Sequence, residues 1–417
     1  MSHFVFVESN TTGTGCVAVE RLLADRHCVT FLTRTPAKYA FLANESPLLE
    51  VVEIDTNDVE SVTRAVGARQ ARLTVDAILT FSDFYVAIVA EAAARLGLRY
   101  LNPETARTCR EKPRTRLALG LAGMPTPESW VLSSEADAHR VAGTAAYPCV
   151  VKPPSDSSST GVRLVANPFE LVAHYRQLSA CAVNVRGQRL TGEVLVESLL
   201  DGPEFSVETV TLEKGRTRVI GVTAKHLSPP PHFVETGHDF PAPLPGAVAR
   251  ELGATAVAGL DAVGYDFGPA HTEIRWTSRG PVIVEINARL AGGMIPVLVA
   301  HATGIDLLGA CLDLAAGRAV ALEPWRDDVA SIRFLTASAA GTLTGIDGVR
   351  RARRLPTVRE IVITREVGSA IRPAEDAYDR IGFVIAAGAP RTRVMRDVDH
   401  AVELIGFRTE APRHAVA

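Results

Sequence analysis

Three polar side chains recur at every second position of an otherwise apolar segment, VIVEINARLAGG, at residues 282–293. Successive side chains of a strand point to opposite faces, so Glu285, Asn287 and Arg289 share one face and the apolar residues between them share the other. A buried carboxylate is costly unless a partner compensates its charge. The alternation therefore predicts a strand whose polar face binds a ligand.

A fourth polar residue, Glu273 in the segment HTEIRW, is expected beside this face. The turn TSRG joins the two apolar runs, so the strand that carries Glu273 is predicted to lie antiparallel to the strand of Glu285 and Asn287. Two carboxylates and an amide are oxygen ligands that Mg²⁺ prefers, with phosphate and water oxygens completing the octahedron. The alternative is a surface hairpin with a polar face, which the apolar flanks disfavour. Gly292 and Gly293 would let a substrate approach the backbone closely.

The segment VVKPPSDSSSTGV, residues 150–162, has a composition suited to phosphate. A strand ends at Lys152, and a serine-rich loop follows it up to Gly161. Backbone N–H groups and hydroxyls of such a loop can surround phosphate oxygens, and Lys152 supplies charge. A solvated linker is the alternative for a serine-rich loop taken alone.

The segment VLVESLLDGPEF, residues 194–205, has features suited to a nucleoside. The backbone that leaves the predicted strand at Glu197 has free N–H and C=O groups that can pair with an adenine edge, and Glu204 beyond the turn can accept from ribose hydroxyls. Two exposed glutamates that flank a turn are the alternative.

A glycine-containing turn, ESNTTGTG at residues 8–15, joins the first strand to the first helix. It lacks the full dinucleotide pattern, because only Gly13 and Gly15 are present and Ala18 occupies the third glycine position. Arg34 stands after the second strand, where an acidic residue would be required. We therefore expect a structural or substrate-facing turn rather than a cofactor site.

The elements that position these motifs follow from the hydrophobic patterns. Residues 1–105 alternate short apolar runs with helical patterns, which predicts a doubly wound α/β domain. Residues 106–190 are predicted to form helices and then strand, loop and strand, residues 191–320 a strand-rich core with the hairpin, and residues 321–417 an α+β portion. Residues 227–245 contain six prolines and are expected to be irregular.

The composition of the 417-residue chain excludes several classes of function. The net charge of -3 argues against a nucleic-acid or polybasic membrane surface. No apolar run is long enough to span a membrane, and the start MSHFVFVESN does not resemble a signal peptide. The six cysteines form no CxxC pair, so we expect no zinc site, no disulfide framework and a cytoplasmic location.

Taken in order, these motifs resemble the ATP-grasp superfamily of carboxylate–amine ligases. The spacings K-P-x-x-x-x-S-S-x-G and E-x-x-x-x-G-P-E-F are similar to those of the D-alanine–D-alanine ligases. The segments SNTTGTG, PPPHFVETGHDFPAP, GPAHTEIR and EINARLAGGMIP look more like the L-amino-acid ligase branch, which makes dipeptides and γ-glutamyl-type amides in natural-product pathways. The resemblance implies an ATP-grasp fold with an N-terminal α/β domain, a central lid subdomain and a C-terminal α+β domain.

The resemblance also implies the role of each motif residue. It assigns nucleotide binding as follows: Lys112 and Lys152 for the phosphates, Ser158, Ser159 and Gly161 for the phosphate lid, Glu197, Ser198 and Leu199 for the adenine pocket, and Glu204 for the ribose. It makes Glu273, Glu285 and Asn287 ligands of Mg²⁺, with Mn²⁺ as the alternative metal. Other roles concern the substrates: Arg289 faces the acyl phosphate and the developing oxyanion, Glu235 binds an ammonium group, and His238 belongs to the same wall or is structural. One departure is Ser157, where the family commonly has glycine.

The implied activity is ATP-dependent ligation of two small amino-acid-like substrates. A carboxylate attacks the γ-phosphate of ATP to give an acyl phosphate and ADP, and the amine of a second amino acid then displaces phosphate. Homodimers are common in the superfamily, which makes a second copy of the chain a candidate partner. Two alternatives stay open: an ATP-grasp enzyme that carboxylates or acts on a purine or biotin substrate, and a nucleotide-binding regulator without turnover.

Overall fold

The N-terminal part of the chain forms the predicted doubly wound α/β domain. In the computed structural model, which describes residues 1–10, 13–43, 46–156, 159–230 and 232–410, its four strands are all parallel and lie in the order β3-β2-β1-β4. The elements are β1 (His3–Val7), α1 (Thr14–Ala24), β2 (Cys28–Thr33), β3 (Leu49–Glu53), α2 (Val59–Gln70), β4 (Ala77–Leu79) and α3 (Val86–Leu96). Asp83 follows β4 in a short 3₁₀ turn, Asp83–Tyr85, at the carboxyl edge of this sheet.

The next part of the chain contains helices and a four-stranded antiparallel sheet. Its elements are α4 (Pro103–Arg110), α5 (Lys112–Leu121), β5 (Ser129–Leu132), α6 (Glu135–Ala142), β6 (Cys149–Lys152), β7 (Arg163–Val165), α7 (Pro168–Ser179) and β8 (Val194–Ser198). The sheet order is β5-β8-β6-β7, so β6 and β8 are neighbours, and Val150 lies opposite Glu197. The prediction that the first part of residues 106–190 forms helices is wrong for β5, because Trp130 and Val131 pair with β8.

An eight-stranded sheet forms the centre of the molecule, in the order β13-β12-β9-β10-β11-β14-β18-β16. Its elements and those packed on it are β9 (Glu204–Glu213), β10 (Arg216–Leu227), β11 (Glu235–Phe240), α8 (Gly246–Ala262), β12 (Gly268–Thr277), β13 (Gly280–Asn287), α9 (Ile295–Thr303), α10 (Leu307–Ala315), β14 (Val329–Leu335), β16 (Val358–Ile363) and β18 (Gly382–Gly388). The predicted hairpin is confirmed as β12 and β13, with Glu273 opposite Glu285. The last three strands of the order come from the C-terminal part, so this sheet continues across residue 320.

The proline-rich segment is not irregular throughout, contrary to expectation. Its prolines lie on either side of β11, whose sequence ETGHDF contains none, so the β11 backbone keeps its N–H donors. β11 pairs with β10 on one side and with β14 on the other. A segment predicted to be a loop is therefore an internal strand of the central sheet.

A small sheet and one long helix complete the C-terminal part. The remaining elements are β15 (Gly341–Asp347), α11 (Val349–Ala352), β17 (Ala370–Ile371), α12 (Arg391–Leu404) and β19 (Gly406–Glu410). The small sheet has the order β17-β15-β19, and α12 packs on β14 and β18. Across the described ranges no single helix is long and apolar enough to cross a membrane; by length and composition only α9 and α10 qualify together, as a pair bent by 109°.

Candidate active site

A cavity of about 250 Å³ lies between the four-stranded antiparallel sheet, the eight-stranded sheet and the C-terminal part. Every predicted site residue that the structure describes lines it, except Gly161: Lys112, Lys152, Ser159, Glu197, Ser198, Leu199, Glu204, Glu235, His238, Glu273, Glu285, Asn287, Arg289, Gly292 and Gly293. Ser158 and Ser157 fall outside the described residues. The fold thus brings residues from distant parts of the sequence to one place.

The β12–β13 hairpin presents the predicted metal ligands to the cavity. Glu273 and Glu285 are opposite each other, and Asn287 is opposite His271. Each carboxylate already has a cationic partner: Lys112 Nζ lies 2.8 Å from Glu285 Oε1, and Lys225 Nζ lies 2.9 Å from Glu273 Oε1. The polar face predicted from the alternation therefore compensates its charges through residues of other elements.

A buried network of charged side chains joins β6, β8 and α5. Glu197 on β8 accepts from Arg116 Nε at 2.6 Å and pairs with Lys152 Nζ at 2.5 Å. Arg116 also donates to the carbonyl oxygens of residues 283 and 284 on β13. Burial by itself raises the pKa of Glu197, but Lys152 and Arg116 outweigh it and hold the pKa to about 2. The Glu197 carboxylate thus fixes two cations, and adenine binding by this segment stays a prediction for its backbone.

Lys225 on β10 is the shared cation of three carboxylates. Its Nζ lies 2.8 Å from Glu204 Oε1, 3.0 Å from Glu235 Oε1 and 2.9 Å from Glu273 Oε1. Glu204 is also held by Arg275, whose Nη2 lies 3.2 Å from Glu204 Oε2. Burial lowers the pKa of Lys225, but the three carboxylates outweigh it and raise the pKa well above its usual range. The ammonium group therefore stays charged and links the predicted ribose, metal and substrate residues.

His271 connects Glu273 to a second carboxylate behind it. Its Nδ1 lies 3.0 Å from Glu208, and its Nε2 lies 3.3 Å from Glu273 Oε1. Glu208 is itself fixed by the Ser206 hydroxyl, which donates to it at 2.7 Å. Burial lowers the pKa of His271, but the two glutamates outweigh it and raise the pKa to about 10. A protonated imidazole thus orients the Glu273 carboxylate.

The predicted substrate wall is completed by a residue of the C-terminal part, Arg380. Its NH2 nitrogen donates to Glu235 Oε2 at 3.0 Å, and its guanidinium lies 3.7 Å from the centre of the Phe334 ring. His238 packs edge-on against the same ring, and neither of its buried ring nitrogens has a hydrogen-bond partner within the described ranges. Burial lowers the pKa of His238 to about 3. The imidazole at this wall is therefore neutral.

Arg289 follows β13 and is fixed at two points. One terminal nitrogen donates to the carbonyl oxygen of Leu290 at 2.7 Å, and the other bonds to the carboxylate of Asp83 from the N-terminal domain. The side chain is 15% exposed and lines the cavity beside Asn287. A guanidinium carries five N–H groups, so donors remain for a carboxylate or phosphate oxygen.

The described residues at the end of the serine-rich loop contact a distant segment and a neighbouring helix. Ser159 donates to the carbonyl oxygen of Phe233 at 3.4 Å, and the carbonyl oxygen of Gly161 bonds to His174 Nε2 at 2.8 Å. Gly161 has a φ of 69°, and an added Cβ would lie 2.8 Å from Leu178. Gly161 therefore shapes the loop from outside the cavity wall.

A turn at residues 184–188, here called the docking turn, contacts the N-terminal domain. Arg186 donates to Tyr39 Oη at 3.1 Å and to the carbonyl oxygen of Ser9 at 2.9 Å, both in the N-terminal domain. Gln188 Nε2 donates to the carbonyl oxygen of Phe84 at 2.8 Å. Ser9 of the ESNTTGTG segment thus contacts the docking turn. The expectation that this segment has a structural or substrate-facing role stays a prediction.

The donor set of the hairpin fits a magnesium ion shared with a nucleotide. In the part of the chain that is described, no group of three His, Cys, Asp or Glu side chains could hold a metal ion. Glu273, Glu285 and Asn287 would supply oxygen donors, and phosphate oxygens and water would complete the shell, as is usual for Mg²⁺ at phosphate sites. The metal assignment stays a prediction that depends on bound nucleotide.

Arg116, Lys225, Asp83 and Arg380 are among the residues of this site that were not predicted from the sequence. Arg116 could have been found, because it lies four residues after Lys112 on α5 and so shares its helix face. Lys225 could have been found as a lone charge in the apolar run IGVTAKHL. Asp83 follows a parallel strand, where ligand-facing residues are common. Arg380 gives no local signal, because only the fold brings it to Glu235.

Three family models match the chain: an ATP-grasp N-terminal domain at residues 27–98, an ATP-grasp domain at residues 145–297, and L-amino acid ligase C-terminal domain 2 at residues 333–410. The y4rH protein of Sinorhizobium fredii is 32% identical over 398 residues, which cover 95% of this chain and 81% of that protein. The alanine–anticapsin ligase of Bacillus subtilis is 25% identical over 61% of this chain and 56% of its own length.

A solved structure extends the likeness to three dimensions. An L-amino acid ligase from Bacillus licheniformis superposes with a TM-score of 0.82 at 22% identity, covering 98% of this chain and 99% of that chain. At this identity the likeness concerns the fold, and the predicted fold class, including its N-terminal and C-terminal domains, is confirmed.

Proposed function

The chain belongs to the ATP-grasp superfamily, in its L-amino acid ligase branch, and is an ADP-forming amide ligase; we propose that it joins two amino acids through an acyl phosphate. One observation supports this most. Three lysines, a pair of opposed glutamates and Arg289 line a single cavity together with an arginine–glutamate pair and a neutral histidine. That arrangement suits a nucleotide and an amino acid bound next to each other.

In the first step, a carboxylate oxygen of one amino acid attacks the γ-phosphorus of ATP. The new O–P bond forms as the bond between the γ-phosphorus and the bridging oxygen breaks, and ADP leaves with that electron pair. Phosphoryl transfer of this kind depends mainly on positioning and on charge stabilisation. Lys112 and Lys152 would bind the phosphates, and Arg289 would bind the oxygens between the carboxylate and the γ-phosphate, as a planar guanidinium can.

A magnesium ion held by Glu273, Glu285 and Asn287 would neutralise phosphate charge when bound. The protein supplies the rest of the arrangement around it. His271 and Lys225 hold Glu273 in place, and Lys112 holds Glu285. These contacts would hold the two carboxylates in place on the hairpin.

In the second step, the amine of the other amino acid attacks the acyl carbon. The C–N bond forms, the C–O bond to phosphate breaks, and the ammonium proton leaves to a phosphate oxygen. The remaining Arg289 donors would stabilise the oxyanion of the tetrahedral intermediate. Closure of the serine-rich loop would protect the acyl phosphate from water. Glu235 would bind a substrate ammonium beside His238, and Gly292 and Gly293 would admit the substrate to the backbone.

The test is a screen of amino-acid pairs with ATP, read by ADP release and by mass spectrometry of the product. We expect at least one pair to give one ADP for each amide formed. Glu285→Ala and Arg289→Ala should lose at least 100-fold in turnover, a typical loss for removal of a group that stabilises transition-state charge. The matched control is Arg279→Ala, an exposed arginine in the turn of the same hairpin, which should keep full turnover.

The alternatives are outcomes of the same screen. ADP release that depends on bicarbonate would favour a carboxylating enzyme, and nucleotide binding without ADP release from any pair would favour a regulator. Full turnover in Glu285→Ala or Arg289→Ala would overturn the site assignment even if the ligase activity were found.

A further inference from the structure

Arg289 forms an ion pair with a residue outside the ATP-grasp core. The N-terminal domain contributes Asp83, which is separated from Arg289 by 206 positions in the sequence. Asp83 is 7% exposed and Arg289 is 15% exposed, so this ion pair is largely shielded from water. The two side chains of a shielded pair keep a fixed geometry, whereas those of a surface pair move in solvent.

The guanidinium plane is fixed by two contacts at different nitrogens. One terminal nitrogen bonds to Asp83, and the other donates to the carbonyl oxygen of Leu290 at 2.7 Å. Contacts at both terminal nitrogens restrict rotation of the guanidinium group. The donors that are not anchored therefore keep a fixed direction at the cavity wall, beside Asn287 and Glu285.

The segment that carries Asp83 is itself held firmly. Ser82 N donates to Thr80 Oγ1 at 3.1 Å, and Tyr85 N donates to the carbonyl oxygen of Ser82 at 3.0 Å. The Phe84 ring is buried beneath the guanidinium of Arg110 at 4.8 Å, and its carbonyl oxygen accepts from Gln188 of the docking turn. The carboxylate of Asp83 is therefore a rigid anchor for a side chain of another domain.

From this geometry we propose that Asp83 is a positioning residue for the reaction, which holds Arg289 in the orientation that binds the reacting carboxyl and phosphoryl oxygens. The proposal rests on the proposed function, since it assigns Arg289 to those oxygens. Without the Asp83 contact, the Leu290 carbonyl is the one remaining hydrogen-bond anchor of the guanidinium among the described residues, and we expect the guanidinium to turn away from the cavity wall. A displacement of about 1 Å at such a group costs about 100-fold in rate.

The kinetic test is a double-mutant cycle with Asp83→Ala, Arg289→Ala and the double variant. We expect Asp83→Ala to lower kcat about 100-fold while the KM for ATP changes less than threefold. Asp83→Asn, which keeps the shape and one acceptor, should lose about tenfold. In the Arg289→Ala background, Asp83→Ala should cause less than a twofold further loss, because the two residues act as a unit. The matched control is Asp76→Asn at the other end of β4, which accepts from His3 N and should retain kcat.

A crystal structure of Asp83→Ala gives a readout that does not depend on activity. Displacement of the Arg289 guanidinium from its position at the cavity wall, in a chain that is otherwise unchanged, supports the proposal. An unmoved guanidinium overturns it, and so does a loss of kcat that adds fully to that of Arg289→Ala. If the wild-type chain releases no ADP with any pair, the proposed ligation fails, and the crystal structure still decides whether Asp83 positions Arg289.

Discussion

The buried network of Glu197, Lys152 and Arg116 allows us to predict both the size and the direction of an effect on stability. Glu197 has a pKa of about 2 because Lys152 and Arg116 outweigh the effect of burial, whereas its ordinary value is 4.5. At about 1.36 kcal/mol for each unit of pKa, that difference corresponds to about 3 kcal/mol of folded-state stability. Glu197→Gln should therefore destabilise this part of the chain by about 3 kcal/mol, within the range found when one partner of a buried pair is removed.

The sign of the pH dependence follows from the lowered pKa. A carboxylate whose pKa falls on folding contributes stability that is fully present above its unfolded-state value and is lost as pH falls toward the folded-state value. The Glu197 contribution should thus be constant from pH 8 to about 5. Below that it should decline by up to about 1.4 kcal/mol for each pH unit toward pH 2. Glu197→Gln should lack this decline.

The assay uses hydrogen exchange of peptides from β6 and β8 at increasing urea concentration. It measures the opening free energy of this sheet rather than of the whole chain. Glu193→Gln, at the start of the same β8 segment and without a cationic partner among the described residues, is the matched control and should change the opening free energy by less than about 0.5 kcal/mol. A change below about 1 kcal/mol for Glu197→Gln would refute the reasoning. So would a pH dependence parallel to that of the wild type between pH 5 and 3.5.

Three further predictions concern other parts of the site. Because His271 has its pKa raised to about 10 on folding, the wild type should lose stability as pH rises from about 7 through 10, and urea unfolding of His271→Gln should show no such loss. Gly293→Ala should raise the KM for the amino acid about tenfold, because φ is 59° and the new Cβ would lie 2.5 Å from His238 Nε2. Arg186→Ala should speed hydrogen exchange across residues 182–190 and increase the ADP released per amide, since the docking turn loses its contacts to the N-terminal domain.

Two of these predictions have a control variant. Gly406→Ala is the control for Gly293→Ala, because it lies outside the cavity and an added Cβ there meets no atom within 4 Å among the described residues; its KM should stay within twofold. Arg189→Ala removes an exposed arginine beside the docking turn and should leave exchange unchanged. Equal effects in variant and control would contradict the assigned contacts. For His271, stability that is flat from pH 7 to 10 in the wild type would do the same.

The hairpin that bears Glu273 and Glu285 could be predicted from sequence because its information is local. Polar residues at every second position and a short turn define strands, a shared face and a register. The doubly wound N-terminal domain was predictable for a similar reason, since each apolar run is followed by a helical pattern. In contrast, β11 has no local signal, because its prolines flank the strand and mask it. β5 has only four residues and lies among helices.

The partners of the charged residues could not be predicted. Glu197 looked like a nucleoside contact, yet its carboxylate bonds to Arg116, 81 positions away. Arg380 reaches Glu235 across 145 positions. Such pairs depend on how separate domains pack, and no periodicity or spacing contains that information. The sequence therefore predicted which residues gather around the cavity better than which of them bond to one another.

The ladder between β11 and β14 has a consequence for how this protein can be altered by recombination. One strand carries Glu235 and His238, and the other belongs to the C-terminal part, so a join near residue 320 would unite two halves of one hydrogen-bonded sheet. A chimera made there would need both strands to match in register and in the side chains that face each other across them. Substrate range and C-terminal sequence should therefore be inherited together, and useful crossovers should fall on the N-terminal side of β9.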